Sequence, residues 1–566
     1  SRSRRCASTG EAGSAGGRPS CAEGGPGLEG VETRSVRASL VDAFARLARR
    51  LFSGGARRVP PRPGGGPDEL RLYLDLRSED LGPPGVDART AADLDFEALF
   101  ARVDRCASAV GQQWLWARLR TPAGEPEALE RFDTLVAALG APGASRDGLR
   151  RSLARLTGAS SYLLPYVLHG QLPAKPATYR LAPVLTGAAL AAVAASFALG
   201  VPGVLALVAI CAVNVVVRLS FRAKVAPVLG SLPAVRALLK TALDLASSGS
   251  GLPDGVRARL EEAIAPLRGL LRTTGWLAIE TDAKDELSRL FYEYVNLLFL
   301  LDVNALLFSL ETLSKRREAL RALFDAVGET DGALSTAAFR ESLPFWCRPR
   351  IVATREGLAA EEAFHPILEA PVPSSVALDS SLLVTGSNMS GKTTFLKTLG
   401  VNALLARTLA TCAARRWEAP AFEVVSAMGR SESLTEGTSY YLAEVRRVGE
   451  LIGAADGTTS RLFLLDELFR GTNTRERIAA GKAVLARLAR GPHLVAVASH
   501  DLELVPLLDG AYVPYHFREE IAGGVLSFDY RLRPGPSSTR NAIALLAWAA
   551  YPPEVVADAL AAVETL

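Results

Sequence analysis

The segment LLVTGSNMSGKTTFLKTLG restricts what this chain can fold into more than any other stretch. An apolar run, Leu382 to Thr385, leads into Gly386-Ser387-Asn388-Met389-Ser390-Gly391-Lys392-Thr393, and Thr394 carries the sequence on into a helical pattern. This is the GxxxxGK[ST] spacing, and it has a physical cause. Gly386 and Gly391 let the backbone curl until successive N–H groups point at phosphate oxygens, and the N-terminus of the next helix adds its positive dipole end. Lys392 then reaches the β- and γ-phosphates, while the Thr393 hydroxyl can ligate Mg2+. Residues 386–394 are therefore the candidate phosphate site.

Two further motifs fit the same chemistry. In RLFLLDELFRGTNT the apolar run Leu462 to Leu465 reads as a buried strand with Asp466 at its carboxyl end, where a carboxylate holds magnesium, usually through water. Glu467 follows as the candidate general base for an attacking water. In HLVAVASH another apolar strand delivers Ser499 and His500 to the edge at which open α/β sheets bind ligands. A histidine at a strand end is usually structural; behind the other two motifs, His500 becomes a candidate contact to the γ-phosphate or the attacking water. After Pro344 short β-like runs (SVALDSSLLVTG, RLFLLDE, HLVAVASH) alternate with helical stretches, the pattern of a parallel sheet covered by helices.

Taken together, TGSNMSGKTTFLKTLG, DELFRGTNTRE, ASHDLEL, FHPIL at Phe364–Leu368 and the tail YRLRPGPSSTRNAIALLAWAAYPPEVVADA resemble the ATPase domain of the MutS family of DNA mismatch-repair proteins. The resemblance covers about 351–566. It implies a P-loop NTPase domain of the ABC/MutS type that binds ATP with Mg2+ and hydrolyses it. Asn388 and Met389 match inside its phosphate loop. It also implies a homodimer through the ATPase domains: SLTEGTSYYLAEV is similar to the family's signature segment, whose serine, Ser439 here, reaches the partner's ATP. Weaker similarity upstream, in DARTAADLDFEALFARVDRCASAVGQQWLWARLRTP, is to the start of the family's helical core or lever domain.

The remaining chain divides by pattern. Residues 1–67 are low-complexity, rich in Gly, Ser, Ala and Arg at the start, and are expected to be disordered. Residues 68–180 and 218–350 carry apolar residues at three- and four-residue intervals and are expected to form the two halves of a helical core. Between them, residues 181–217 hold no charged side chain and break at Gly200–Gly203. The first arm is long enough to span a bilayer, which takes about 20 apolar residues, and the second only if it borrows from the turn. Basic residues flank both ends (Lys175, Arg180, Arg218, Arg222, Lys224), so a membrane hairpin would keep both ends, and the ATPase domain, at the cytoplasmic face of the membrane. The other reading is a hairpin buried in a soluble core, favoured by its many Ala and Gly. The FYE at Phe291–Glu293 resembles a mismatch-wedge motif but sits in a helical apolar run and reads as packing. No mismatch-reading domain is expected before Asp87.

Composition narrows the partners. With 64 basic and 60 acidic residues the net charge is +4, too balanced to indicate a nucleic-acid binder by charge alone. DNA enters as an expected partner through the resemblance and through Arg-rich runs such as RRSLARL and SKRREALRAL, each of which singly reads as a solvated helix face. The 6 cysteines and 5 histidines are scattered, with no CxxC pair and no metal-ligand spacing, as in a chain kept reduced and without structural zinc. The sequence thus reads as a membrane-tethered, dimeric, DNA-binding MutS-like ATPase linked to mismatch repair or DNA-structure sensing. The alternative is a membrane-bound scaffold that uses ATP as a switch without recognising mismatches.

Overall fold

Two tryptophans organise the first helical layer of the protein. In the computed structural model, which describes residues 64–81, 85–122, 126–141, 146–170, 181–247, 251–269, 286–301, 303–304, 313–353, 357–387, 390–428, 440–522, 525–537 and most of 543–565, five helices come first. They are α1 (Pro67–Leu81), α2 (Ala88–Asp93), α3 (Phe96–Val103), α4 (Ala109–Arg120) and α5 (Pro126–Gly140). Asp87 caps α2 by accepting from Arg89 N and Thr90 N, and Ser108 caps α4 by accepting from Gly111 N. Helix α4 is buried on nearly every face, Gln112 and Gln113 included. Trp116 lies edge-on to Phe96 and Phe100 at 4.8 and 4.9 Å between ring centres. All of the described residues fall within one unit, Pro61–Leu566, and the expected disordered stretch 1–67 lies almost wholly outside them.

The apolar run forms two helices, α6 (Ala182–Leu199) and α7 (Val201–Ala246). The break is narrower than the sequence suggests. Gly200 alone leaves the helix, at φ +63°, while Val201, Pro202 and Gly203 already belong to α7, with Pro202 in the first turn, where its missing N–H costs nothing. The helix does not stop where the apolar run stops: α7 continues past Val217 and runs 46 residues without interruption. A charge ends an apolar run but not a helix, and Arg218 is accommodated by an ion pair to Glu293 at 3.0 Å. Glu293 lies on α8 (Glu286–Phe299), which packs beside both arms. Polar side chains fasten the three helices together: Asn214 Nδ2 donates to Leu298 O at 2.7 Å, Thr186 Oγ1 to Phe299 O at 2.7 Å, and Asn304 Nδ2 to Thr186 Oγ1 at 2.8 Å. The outward face is apolar and uncovered, Phe197 being 88% and Val201 73% exposed. Both arms, at 182–199 and 201–219, are long and apolar enough to cross a membrane by length and composition.

The chain returns through α9 (Arg317–Glu341), whose second half is buried all round. Gly328 and Gly332 lie under Trp114, where a Cβ on either would stand 2.7 Å from the indole, so only glycine lets α4 and α9 approach this closely. Beyond α9 come strands β1 (Arg350–Ile351), β2 (Leu358–Ala363), β3 (Ser374–Leu378), β4 (Ser381–Thr385), β5 (Arg416–Ala419), β6 (Glu423–Ala427), β7 (Arg461–Asp466), β8 (Leu494–Ala498), β9 (Tyr512–His516), β10 (Glu519–Ala522), β11 (Val525–Phe528) and β12 (Arg533–Pro534). Helices α10 (Lys392–Leu409), α11 (Tyr440–Ala454), α12 (Thr474–Leu488) and α13 (Pro553–Thr565) lie among and after them.

The main sheet has the order β12-β9-β4-β8-β7-β6 and is parallel except for β12. A second sheet, β1-β5-β2-β3, is largely antiparallel, and β10 and β11 pair as a hairpin. SVALDSSLLVTG, one β-like run by sequence, is two strands in different sheets. In β3 burial alternates, as in a strand with one face in the core, whereas every residue of β4 is buried, as in a central parallel strand. One hydrophobic core runs from Leu70 to Phe517, across the boundary that composition places near 350. Arg118 Nε donates to Thr408 O at 2.9 Å, so the helical layer also grips the C-terminal end of α10 directly.

Candidate functional site

Register brings the three motifs together. In the main sheet Val384 and Asp466 both stand opposite Ala498, so β4, β8 and β7 end at one level. The next peptides continue that alignment: Ser499 N donates to Val384 O at 3.0 Å and Glu467 N to Ala498 O at 2.9 Å. The residues immediately beyond the strand ends, Gly386, Glu467 and His500, therefore share the carboxyl edge, where ligands of such sheets bind.

At the end of β4 the loop turns through Gly386 at φ +133° and re-enters helix at Gly391, φ +106°, conformations that side-chain-bearing residues rarely adopt. A Cβ on Gly386 would lie 2.7 Å from Phe517 O. Lys392 opens α10, is buried, and folds over the loop, with Nζ donating to Gly386 O at 2.8 Å and Ser387 O at 2.7 Å. Burial lowers its pKa, opposed by the charges of Glu467 and Asp466. Ser390 Oγ closes the loop onto Ser387 O at 2.8 Å, and Thr394 faces a cavity described below. Asn388 and Met389 lie outside the described residues, as does Ser439.

Thr393 Oγ1 donates to Asp466 Oδ2 at 2.7 Å, joining the start of α10 to the end of β7. The other carboxylate oxygen, Asp466 Oδ1, is buried with no hydrogen-bond partner among the described residues. Burial pushes the Asp466 pKa up, although Thr393 and Arg470 pull against it. A hydroxyl and an orphaned carboxylate oxygen beside a phosphate loop fit an octahedral, largely water-ligated Mg2+.

Glu467 is held from both sides, with Oε1 2.6 Å from His500 Nε2 and Oε2 2.6 Å from Arg470 Nε. Burial opposes its ionisation, but His500, Arg470 and Lys392 outweigh that effect and bring its pKa below the ordinary glutamate value. Its φ of +52° is unfavourable for a residue with a side chain, a conformation maintained by the bond to Ala498 and typical of strained functional sites. His500 is therefore a partner of the candidate base, just past the end of β8, the strand next to it.

Four site residues had no role assigned from sequence. Arg470, visible in DELFRGTNT, also reaches Asp466 at 3.7 Å. Glu519, buried, accepts from Ser387 Oγ at 2.6 Å, and no local pattern announces it. Glu444, on α11 and within the segment SLTEGTSYYLAEV, accepts from Phe469 N, and burial raises its pKa. His365, noted only within FHPIL, lines a cavity of about 260 Å³ beside the phosphate loop with Gly391, Thr394, Phe395, Phe517 and Tyr530. Its Nδ1 faces Ile367 N at 3.4 Å, and its Nε2 is buried without a partner among the described residues. Burial depresses its pKa to about 4, so the ring is neutral at pH 7.

Comparison with known proteins agrees with this geometry. Residues 382–566 match the family profile described as MutS domain V. The "DNA mismatch repair protein MutS" of Thermus aquaticus is 32% identical over 267 residues, covering 45% of this chain and 31% of that protein. The protein of the same name from Natronomonas pharaonis is 29% identical over 261 residues, covering 44% and 29%. The "DNA mismatch repair protein MutS 2" of Haloarcula marismortui is 28% identical over 288 residues, covering 45% and 30%. The chain thus spans about a third of the length of the curated relatives it matches. A phosphate-loop helix, a hydroxyl–carboxylate pair and a histidine-held glutamate thus stand at one sheet edge within residues 382–566, the part of the chain that matches MutS domain V.

Proposed function

We propose that the chain is a Mg2+-dependent ATPase whose C-terminal domains pair as a homodimer, which acts on DNA in mismatch repair or the sensing of DNA structure, and which is tethered to the cytoplasmic membrane through the apolar helices at 181–217. The observation that carries the reading is the convergence of Lys392, Thr393, Asp466, Glu467 and His500 on one edge of the main sheet. The loop N–H groups and Lys392 bind the phosphates, Lys392 exchanging its loop carbonyls for phosphate oxygens. The cavity beside Gly391 has the size and aromatic lining for a nucleobase, and the partnerless Nε2–H of His365 is a donor for a ring nitrogen there. Thr393 and Asp466 hold the metal, which neutralises charge on the β- and γ-phosphates when bound. Glu467, ionised and aimed by His500 and Arg470, takes the proton of the attacking water.

The dimer and DNA readings are supported by the family and by the printed names of the relatives. Ser439 is the residue that would reach the partner's nucleotide. The membrane reading is supported by the uncovered apolar faces of α6 and α7, which a soluble core would have buried. It places the ATPase domain on the cytoplasmic side. Phosphate release measured on wild type and Glu467→Gln is the test. The variant is expected to bind ATP while losing about 10²- to 10⁴-fold in kcat. Hydrolysis at the parental rate would remove Glu467 as base, and no hydrolysis by wild type with Mg2+ would remove the ATPase itself.

A further inference from the structure

Cys347 and Cys412, far apart in sequence, stand opposite one another as an isolated antiparallel bridge. Cys347 N donates to Cys412 O at 3.0 Å and Cys412 N to Cys347 O at 2.9 Å. Such a reciprocally bonded pair has its Cα atoms about 5.5 Å apart. That separation lies within the range of about 4.4–6.8 Å that disulfides span. Directly opposed side chains leave the same face, and here both thiols are free, with Cys412 Sγ donating to Asn402 O at 3.8 Å. The pair is asymmetric. Cys347 is partly exposed and the neighbouring Cys412 thiol holds its pKa below the usual thiol value, while Cys412 is fully buried and burial pushes its thiol up.

The place matters as much as the pair. Cys347 lies between the end of α9 and β1, and Cys412 lies just past Leu409, the last residue of the helix that begins at Lys392. Non-covalent contacts already concentrate at this junction. Arg340 of α9 donates to Thr411 Oγ1 at 2.9 Å, to Ala410 O at 3.0 Å and to Leu409 O at 3.1 Å, and stacks over Trp346 at 4.3 Å. A covalent link would close a loop that contains the whole of residues 386–394.

We propose that Cys347 and Cys412 are a reversible dithiol–disulfide site, oxidised by peroxide, that locks the exit of α9 to the C-terminal end of α10. The Cys347 thiolate attacks hydrogen peroxide. Its sulfur bonds to one oxygen, the O–O bond breaks, and the leaving hydroxide takes a proton to become water, leaving Cys347 as a sulfenic acid. Cys412, as thiolate, then attacks that sulfur. The S–O bond breaks, the S–S bond forms, and the departing hydroxide leaves as water with the proton that Cys412 gave up. Both thiols are oxidised by one electron each and the peroxide is reduced by two. A thiol reductant reverses the step by exchange at the partly exposed Cys347 sulfur.

The test uses the full chain, reduced, then treated with hydrogen peroxide, alkylated and digested for mass spectrometry. The expected product is a peptide pair joined through Cys347 and Cys412, two hydrogens lighter than its parts and abolished by a phosphine reductant. The oxidised protein should gain about 5 °C in Tm, lost again on reduction. Cys347→Ser and Cys412→Ser should each abolish both the link and the Tm gain. Should the buried Cys412 variant fail to fold, the partly exposed Cys347 variant carries the same test. Oxidation of Cys347 to sulfinic acid with no joined peptide overturns the proposal, as does a joined peptide with unchanged Tm.

Discussion

Lowering the pH from 7.5 to 4.5 should destabilise the protein through one histidine. His365 is 5% exposed, its Nδ1 faces Ile367 N, and its pKa is depressed to about 4 by burial. In the unfolded chain it titrates near 6.5. The unfolded state therefore binds the proton first. The stabilisation is fully present above about pH 6.5 and is lost as the pH falls from there through about 4. At pH 4.5 the linkage relation puts the loss at about 2.5 kcal/mol. Asp331 works the other way: burial raises its pKa to about 6, so the native state holds its proton more tightly and gains as the pH falls. A comparison with His365→Gln cancels that term, because Asp331 is common to both proteins. Urea titrations at the two pH values, followed by tryptophan fluorescence, should show wild type losing about 2.5 kcal/mol more than the variant. Exchange of the His365 Cε1 hydrogen, followed by mass spectrometry, should have its midpoint near pH 4. A midpoint near 6.5, or equal losses in the two proteins, would refute the reasoning.

Other outcomes follow from the same geometry. Because burial raises the Asp466 pKa, protons compete with Mg2+ at higher pH than for an ordinary aspartate, so apparent Mg2+ affinity should weaken on acidification sooner than at an unburied site; isothermal titration with Mg2+–nucleotide at several pH values checks this, and an affinity that does not fall with pH would contradict it. Gly386→Ala should cost more than about 1 kcal/mol and impair nucleotide binding, since it combines a positive φ with a Cβ 2.7 Å from Phe517 O; an unchanged Tm and nucleotide Kd would contradict this. Val204 and Val208 are 47% and 60% exposed, and Arg at both should cost about 2.5–3.5 kcal/mol each in lipid but almost nothing in water. Carbonate extraction of that double variant should release protein that wild type retains in the membrane fraction. Release of wild type itself would end the membrane reading.

What sequence alone determined here was contiguous chemistry. A phosphate loop needs its glycines, lysine and threonine at fixed offsets, because one turn of backbone and the first turn of a helix build it. The β4 and β7 strands were legible for a related reason: a central parallel strand is buried on both faces, and Leu382–Thr385 and Leu462–Leu465 show that as unbroken runs. The length of α7 was not legible, because the apolar run stops at a charge that the helix carries onto Glu293 of another helix. Nor was the division of SVALDSSLLVTG, since neighbouring strands enter different sheets only when partners distant in sequence exist to pair with them.

Only the tertiary structure decided which side chains meet. Glu467 and His500 are neighbours because β7 and β8 pair with Asp466 opposite Ala498; a shift of one residue would turn every side chain of the strand to the other face. Glu519 reaches Ser387 across 132 residues, and Cys347 finds Cys412 through a bridge that no spacing rule anticipates. Local motifs specify what a segment can do with its own backbone, while the partners that aim, neutralise or oxidise those groups are set by long-range packing.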